Sequence, residues 1–259
     1  MSTHMKKLFL LYSGIVLLSI WGGIGTAVAA GMIEAVFNPA NFSNPLDINN
    51  PYWFLVPGTT FTYRSVGVGQ CEVNDVEVTD VTVLVAGVNT RQVHDQVWED
   101  DNCNGGRDFL SEDTLDWYAQ DNDGNVWYLG EATAEYCDRD QPQIACSTEG
   151  SWMAGVDGAT PGFAMLANPT PGTFYRQEFL AGEAEDMAKV LRTNATVVLI
   201  FDNAIDLDHY TGCLKTKEWS ALERGAVENK YYCPGVGLVL INGLKSQTVR
   251  TELVEISGP

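Results

Sequence analysis

The chain has 259 residues, of which 45% are hydrophobic, and 34 acidic against 15 basic residues give it a formal net charge of −19. This composition predicts a globular protein rather than a disordered one. The strong negative charge argues against binding to nucleic acid or anionic lipid, because that binding depends on Lys and Arg.

Residues 1–29 have the pattern of a signal peptide. Lys6 and Lys7 precede an apolar run from Leu8 to Ile24, and Ala27-Val28-Ala29 is the small-residue pattern that signal peptidase cleaves. An uncleaved anchor is the alternative, but glycines interrupt the run, so we expect no stable membrane span after cleavage. Cleavage would remove two lysines from a chain of net charge −19, which leaves about −21. The sequence therefore predicts an exported protein, either periplasmic or extracellular.

An extended N-terminal arm and the first half of a β domain are predicted next. Residues 30–56 are rich in Asn and Pro, and a single β domain is expected over 57–259. Its first meander, 57–131, contains β-prone segments separated by turn residues. Asp-Gly within residues 121–125 indicates a hairpin, because glycine adopts the positive φ of a tight turn. The segments are Val76 to Val85, Arg91 to Trp98, Thr114 to Ala119 and Val126 to Leu129.

A connector and a second meander complete the domain. The connector, 132–170, is rich in Gly and Pro, and we expect it to pack on the sheet as ordered loop. A helix candidate, Gly182 to Arg192, has helical spacing of apolar residues but could equally be a strand. The second meander, 171–255, contains the β-prone segments Thr196 to Phe201, Cys213 to Trp219, Asn229 to Tyr232 and Val236 to Ile241.

Short phrases recur in the two meanders. "PGTTFTYR" begins at Pro57 and "PGTFYR" at Pro171, which is an offset of 114 residues. The same offset relates Thr82-Val83 to Thr196-Val197 and Trp117-Tyr118 to Tyr231-Tyr232. An internal duplication explains the shared offset, and the alternative is that exported β proteins reuse turn chemistry. The predicted fold is all-β, a curved antiparallel sheet or half-barrel built from two related meanders with at most one short helix.

The cysteines predict disulfides. An exported chain with six cysteines, an even number, and no C-x-x-C spacing favours cross-links over metal binding. Sequential pairing is favoured among the possible connectivities, because each bond would join neighbouring parts of a meander. The pairs are Cys71 with Cys103, Cys137 with Cys146, and Cys213 with Cys233.

Three segments resemble a family of exported bacterial proteins of unassigned function. "YYCPGVGLV" at residues 231–239 is similar to the signature Y-x-A-P-G-V-G-L-V, and residues 116–131 and 150–162 resemble the family's central blocks. The resemblance implies a curved antiparallel sheet, distantly similar to LolA-type lipoprotein carriers, whose concave face holds acyl chains. The chain departs from the signature at Cys233, where alanine is expected, and in an acidic loop at 202–210. The family supplies no activity.

Acidic loops are candidate calcium sites. Asp100, Asn102 and Asn104 form the D-x-N-x-N-G opening of a calcium loop, but Ser111 replaces the closing glutamate of an EF-hand, so a looser β-loop site is the hypothesis. The alternative is a solvated hairpin tip. A second oxygen cluster comprises Asp202, Asn203, Asp206 and Asp208, beside His209. At Asp121, Asp123 and Asn125, turn chemistry is a sufficient explanation.

Aromatic residues are the candidate ligand-binding groups. A curved sheet can fold their rings around an apolar or glycan ligand, and the alternative is that they form the core. We therefore expect a non-enzymatic exported binding protein. A structural envelope protein with calcium-binding loops is the alternative, and a carboxylate-pair hydrolase is third, since no nucleophile elbow, zinc motif or phosphate loop is present. The sequence does not specify the oligomeric state. The candidates are Trp117, Tyr118, Trp127, Trp152, Tyr175 and Tyr231.

Overall fold

The computed structural model describes residues 31–67, 69–201, 209–222, 225–245 and 249–259. The predicted signal peptide and the predicted calcium ligands Asp202, Asp206 and Asp208 lie outside these ranges. The described part contains one 3-10 helix, Pro39–Asn41, and otherwise strands. These are β1 (Met32–Ile33), β2 (Asn49–Asn50), β3 (Trp53–Phe54), β4 (Thr60–Gly67), β5 (Gln70–Val85), β6 (Val88–Glu99), β7 (Phe109–Gln120), β8 (Val126–Glu135), β9 (Trp152–Met153), β10 (Thr160–Met165), β11 (Phe174–Arg176), β12 (Glu178–Phe179), β13 (Asp186–Val198), β14 (His209–Ser220), β15 (Ala226–Cys233), β16 (Gly237–Lys245) and β17 (Arg250–Ser257).

One large sheet forms the fold, as the sequence predicts. Its strand order is β1-β11-β13-β14-β15-β16-β17-β4-β5-β6-β7-β8-β10-β12, and β9 pairs with β8. β1 and β11 are parallel, whereas the other ladders of this sheet are antiparallel, so the sheet is mixed. The order has two ends, at β1 and β12, and the sheet is not closed. β2 and β3 form a separate small sheet within the arm.

Two meanders lie side by side in this sheet. The first contains β4 to β8 and the second contains β11 and β13 to β17, and they are joined where β17 pairs with β4. Each begins with a Pro-Gly-Thr turn of the same pattern, in which the glycine has a positive φ. The Gly58 amide donates to the Val78 carbonyl at 2.7 Å, and the Gly172 amide donates to the Val190 carbonyl at 2.8 Å.

The other repeated pairs occupy corresponding strands. Thr82-Val83 lies in β5 and Thr196-Val197 in β13, the second strand of each meander. Trp117-Tyr118 lies in β7 and Tyr231-Tyr232 in β15, the fourth strand of each. The offset of 114 therefore relates equivalent structural positions, which supports the duplication hypothesis.

The chain between 174 and 179 accounts for the curvature of the sheet. Residues 174–176 form β11 and pair with β13, while 178–179 form β12 and pair with β10. Because β13 and β10 lie near opposite ends of the strand order, a flat sheet could not satisfy both ladders. Gly162 in β10 permits the crossing, since a Cβ at this position would lie 2.3 Å from the Arg176 carbonyl oxygen.

Some boundaries differ from the sequence prediction. The helix candidate is a strand from Asp186 onward, because Ala188 and Val190 alternate with more exposed residues across the sheet. β13 ends at Val198 rather than Phe201, since the amides of Ile200 and Phe201 both donate at 2.8 Å to the buried Glu252 carboxylate. β8 continues beyond 131, and the connector contains β9 and β10.

Three disulfides cross-link the sheet and its loops, and they confirm the predicted pairing. Cys71 is bonded to Cys103, Cys137 to Cys146, and Cys213 to Cys233. Within the described ranges, no helix is long or apolar enough to cross a membrane.

Candidate functional site on the concave face

The concave face carries charged residues from both meanders. Strand alternation places Asp116 and Tyr118 of β7 on one face, and the register places Glu131 of β8 opposite Asp116. In the second meander, alternation and register place Glu218 and Lys230 on a common face. The carboxylates of this face are Asp95, Glu112, Asp116, Glu131, Glu178, Asp186, Glu218 and Glu228.

The two halves of this face meet across the concavity. Trp53 of the arm contacts both Tyr118 of β7 and Tyr232 of β15, with ring centroids 5.4 and 5.7 Å apart. Those two strands are six ladders apart in the sheet, which corresponds to nearly 30 Å along a flat sheet. Lys230 likewise lowers the pKa of Asp95, on β6. The curvature therefore brings distant strands around one shared interior.

Lys230 is the cation that compensates this acidic interior. Its Nζ lies 3.2 Å from Glu218 and 3.0 Å from Glu228. Burial alone would lower the pKa of Lys230, but the two carboxylates raise it well above its usual value. The two carboxylates therefore stabilise the charged ammonium of Lys230.

Several of the surrounding carboxyl groups hold their protons unusually well. Burial raises the pKa of Asp95 to about 6, and burial together with the charge of Glu112 raises that of Glu131 to about 7. Burial, Glu131 and Asp186 raise the pKa of Glu178 to about 8. Burial also raises the pKa of Asp116. Part of this cluster is therefore protonated at neutral pH.

Aromatic side chains hold the carboxyl groups in place. The Tyr128 hydroxyl donates to Asp116 at 2.6 Å, and its ring stacks on Tyr118 with centroids 4.9 Å apart. The Tyr232 hydroxyl donates to Glu218 at 2.9 Å, and the Trp152 indole N–H donates to Glu178 at 2.8 Å. The face thus combines rings and fixed carboxyl oxygens, the groups that orient hydroxyl and amine donors of a ligand.

The predicted ligand-binding aromatics are largely enclosed. Tyr118, Trp152 and Tyr175 are at most 9% exposed and contribute to the interior. Trp117 and Trp127 are also buried, and strand alternation turns them away from Tyr118 and Tyr128. Tyr231 is half-buried and lies under the Lys215 ammonium, 5.0 Å from its ring centroid. The six residues are therefore divided between the two faces of the sheet.

The arm supplies the second layer over Trp127. Phe37 and Phe42 contact the Trp127 ring with centroids 5.5 and 6.0 Å away, and Phe163 lies at 4.3 Å. Trp127 is thus covered by side chains of the same chain and needs no ligand or partner protein to shield it from water.

A separate groove lies beside the arm. It has a volume of about 390 Å³ and is bounded by the arm and Gly235. Its lining is mainly apolar, with Leu46, Ile48, Phe54, Leu55 and Val56 among its residues.

The predicted calcium ligand Asp100 accepts hydrogen bonds from the backbone of its own loop. Its side chain is buried and accepts from the amides of Asn104 at 3.0 Å and Gly105 at 2.6 Å. Burial would raise the pKa of Asp100, but these amides hold it below the usual range. The Asn104 side-chain oxygen accepts from the Gly106 amide. In the described ranges, no group of three or more His, Cys, Asp or Glu side chains is arranged to hold a metal ion.

The carboxylate of Asp121, in the hairpin turn, likewise accepts hydrogen bonds from its own turn. It accepts from the amides of Asp123 and Asn125 and from the indole N–H of Trp127. Turn chemistry therefore accounts for this oxygen cluster, as the sequence indicates.

Sequence reasoning missed the charged interior. A signal was present, because alternation along "TLDWYA" places Asp116 beside Tyr118 on one face, and the offset of 114 relates Asp116 to Lys230. In the sequence, Glu178 looks like one of several solvent-exposed acids, since its burial depends on the crossing between β11 and β12.

No family model matches the chain, and searches of curated proteins and of solved structures find no match either. The resemblance to the "YxAPGVGLV" family and to LolA-type carriers therefore stays a prediction.

Proposed function

We propose that the protein is an exported, non-enzymatic binding protein whose concave face takes a small glycan or another ligand rich in hydroxyl or amine groups. The observation that carries the proposal is the shared interior, in which carboxyl groups from both meanders surround Lys230 and the stacked rings of Tyr118 and Tyr128. Three disulfides support export, because such bonds persist in oxidising compartments.

The chemistry of this face favours polar donors over acyl chains. A carboxylate offers about four acceptor positions, and Glu131 and Glu228 are only half-buried. Each therefore retains oxygen lone pairs that a hydroxyl or ammonium group can satisfy. An apolar chain placed there would leave these groups desolvated without partners, which costs roughly 1 to 3 kcal/mol for each.

A positively charged ligand gains most from the same face. Burial and mutual repulsion raise the pKa values of Asp116, Glu131 and Glu178. A cation near such groups favours their charged forms, so binding of an amine would release protons. An amino sugar combines this charge with hydroxyl donors.

The test combines native mass spectrometry of the gently isolated protein with calorimetric titration of amino-sugar and neutral oligosaccharides. We expect a polar adduct or a measurable heat with the amino sugar, and at least tenfold weaker binding in Glu131→Gln and Glu228→Gln, which corresponds to about 1.4 kcal/mol. Glu183→Gln is the matched control, because Glu183 is exposed in the loop before β13. Adducts that are exclusively apolar would contradict the proposal and direct attention to the groove beside the arm.

A carboxylate-pair hydrolase is a second candidate, and the pKa of Glu178 favours it. A carboxyl group with a pKa of about 8 is protonated at neutral pH, which is the state that a general acid needs. The release of reducing ends from a bound glycan, lost in Glu178→Gln, would support this candidate. Binding without turnover would support the non-enzymatic proposal.

A further inference from the structure

The short segment 174–179 joins the two ends of the curved sheet. Its first half pairs with β13, its second half pairs with β10, and the Gln177 amide between them donates to the Asp186 carbonyl at 2.8 Å. β12 contributes two residues to its ladder, so few backbone hydrogen bonds hold this end. We call residues 174–179 the latch.

Glu178 fastens the second half of the latch. It is 7% exposed, and its carboxyl oxygen accepts the Trp152 indole N–H at 2.8 Å. Neighbouring Gln177 lies 3.4 Å from Glu218 of β14. The latch therefore closes over the acidic interior.

The groups that face Glu178 are mostly acidic. On β10 its ladder partner is Pro161, which does not titrate, and the Arg176 guanidinium of β11 lies over the Phe179 ring at 4.1 Å. Burial disfavours an ionised Glu178 most; Glu131 and Asp186 repel it, while Lys230 and the Trp152 indole N–H attract it. The titratable groups that act on it, or on which it acts, are Glu131 and Tyr128 of β8, Asp186 of β13 and Lys230 of β15.

We propose that the latch is a pH-sensitive closure of the concave face: it stays fastened while Glu178 is neutral and is released when Glu178 ionises. Release separates β12 from β10 and opens the interior at the place where the two ends of the sheet meet. The inference does not depend on which ligand, if any, the face binds.

Proton linkage gives the direction of the effect. Burial, Glu131 and Asp186 raise the pKa of Glu178 from 4.5 to about 8 in the closed latch. Between pH 4.5 and about 8, Glu178 is protonated in the closed form and ionised in the open form. Raising the pH through this window therefore favours opening, and the effect levels off above pH 8.

Hydrogen exchange of the full mature chain, followed by mass spectrometry across about pH 5 to 9, tests the latch. After correction for intrinsic rates, we expect the opening equilibrium for the amides of β12, residues 178–179, to rise up to about tenfold per pH unit below pH 8, as one lost proton requires. Central amides of β7 and β15 should keep their protection. A latch with pH-independent protection would overturn the inference.

Two variants separate the charge of Glu178 from its packing. Glu178→Gln keeps an oxygen for the Trp152 N–H but cannot ionise, so its latch should exchange at a pH-independent rate. Glu131→Gln removes a repelling charge and lowers the pKa of Glu178, so opening should rise less and level off at a lower pH. An unchanged pH dependence in Glu178→Gln would refute the mechanism. Glu183→Gln is the control that keeps the wild-type profile.

A third variant tests the crossing without any titration. In Gly162→Ala the new Cβ would meet the Arg176 carbonyl oxygen at 2.3 Å, so the latch cannot stay seated. We expect the amides of the latch to lose most of their protection at every pH in this variant. Full protection in Gly162→Ala would show that the latch is not held at this crossing, and the proposal would fail.

Discussion

Asp116 and Lys230 occupy equivalent positions in the two meanders, where one side chain is an acid and the other is a base. Each precedes by two residues a tyrosine, Tyr118 or Tyr232, that contacts the ring of Trp53. The two meanders thus place a tyrosine against Trp53 in the same way but differ in the titratable side chain two residues before it. Lys230 supplies the cation that pairs with Glu218.

Replacing Lys230 should destabilise the protein in a pH-dependent way. Lys230→Met leaves Glu218 and Glu228 without their shared cation, and loss of one member of a largely buried ion pair costs about 3 kcal/mol. The loss should be larger at pH 8 than at pH 5, because more of the interior carboxyl groups are ionised at pH 8. Urea unfolding at both pH values measures the loss of stability. Lys189→Met is the control, because strand alternation places Lys189 on the opposite face of β13 from the buried Ala188 and Val190. Equal losses at both pH values would show that the cation does not balance the interior.

Stability should fall as the pH rises from about 5 to 8. The pKa of Asp95 is raised from 3.8 to about 6, that of Glu131 from 4.5 to about 7, and that of Glu178 from 4.5 to about 8. In each window the unfolded chain has lost a proton that the folded chain retains, so stability is present at low pH and is lost on the way up.

Thermal melting from about pH 4 to 9 checks this prediction. Backbone amides lower the pKa of Asp100 despite its burial, so its contribution is lost below that window and the melting temperature should be highest near pH 4. Asp95→Asn should flatten the curve between about pH 4 and 6. A melting temperature that rises from pH 5 to 8 would contradict the raised pKa values.

The three disulfides should be reduced in a fixed order. Cys137 and Cys146 are exposed, Cys71 is buried beside the exposed Cys103, and Cys213 and Cys233 are both at most 1% exposed. Reductant therefore reaches the first pair most easily and the last pair only after β14 and β15 separate. Alkylation of the native protein at increasing reductant concentration, followed by mass spectrometry, gives the order. Early loss of the Cys213–Cys233 bond would mean that these two strands open readily.

Asp100 should stabilise its loop with or without calcium. Asp100→Ala leaves the amides of Asn104 and Gly105 without their acceptor, and the loss of these two hydrogen bonds costs about 2 kcal/mol. If the loop also bound calcium, millimolar calcium would raise the melting temperature of the wild type and not of the variant. Parallel melting curves with calcium and with chelator distinguish the two roles, and a stable Asp100→Ala protein would contradict the backbone role.

The sequence was sufficient for the elements that depend on local chemistry. β-branched runs located β5, Asp-Gly located the turn between β7 and β8, and the neighbouring positions of Cys213 and Cys233 in one meander gave their disulfide. The offset of 114 in the sequence also indicates which positions of the two meanders correspond.

The interior could not be predicted because it depends on contacts between distant strands. Glu178 is buried only because the chain crosses from β13 to β10 within six residues, and no periodicity encodes that crossing. Trp53 belongs to an arm whose sequence gives no period, yet it lies between two tyrosines of different meanders. Alternation assigned the tryptophans to faces but did not show that Phe37 and Phe42 cover Trp127.

The ladder between β17 and β4 determines when the fold can be completed. It joins residues such as Ser65 and Thr251, which are 186 positions apart and share a hydrogen bond of 2.8 Å. Each meander can assemble from neighbouring hairpins, but the seam between them needs β17 to be synthesised. Until that moment β4 presents an unpaired edge, with which strands of other chains can pair.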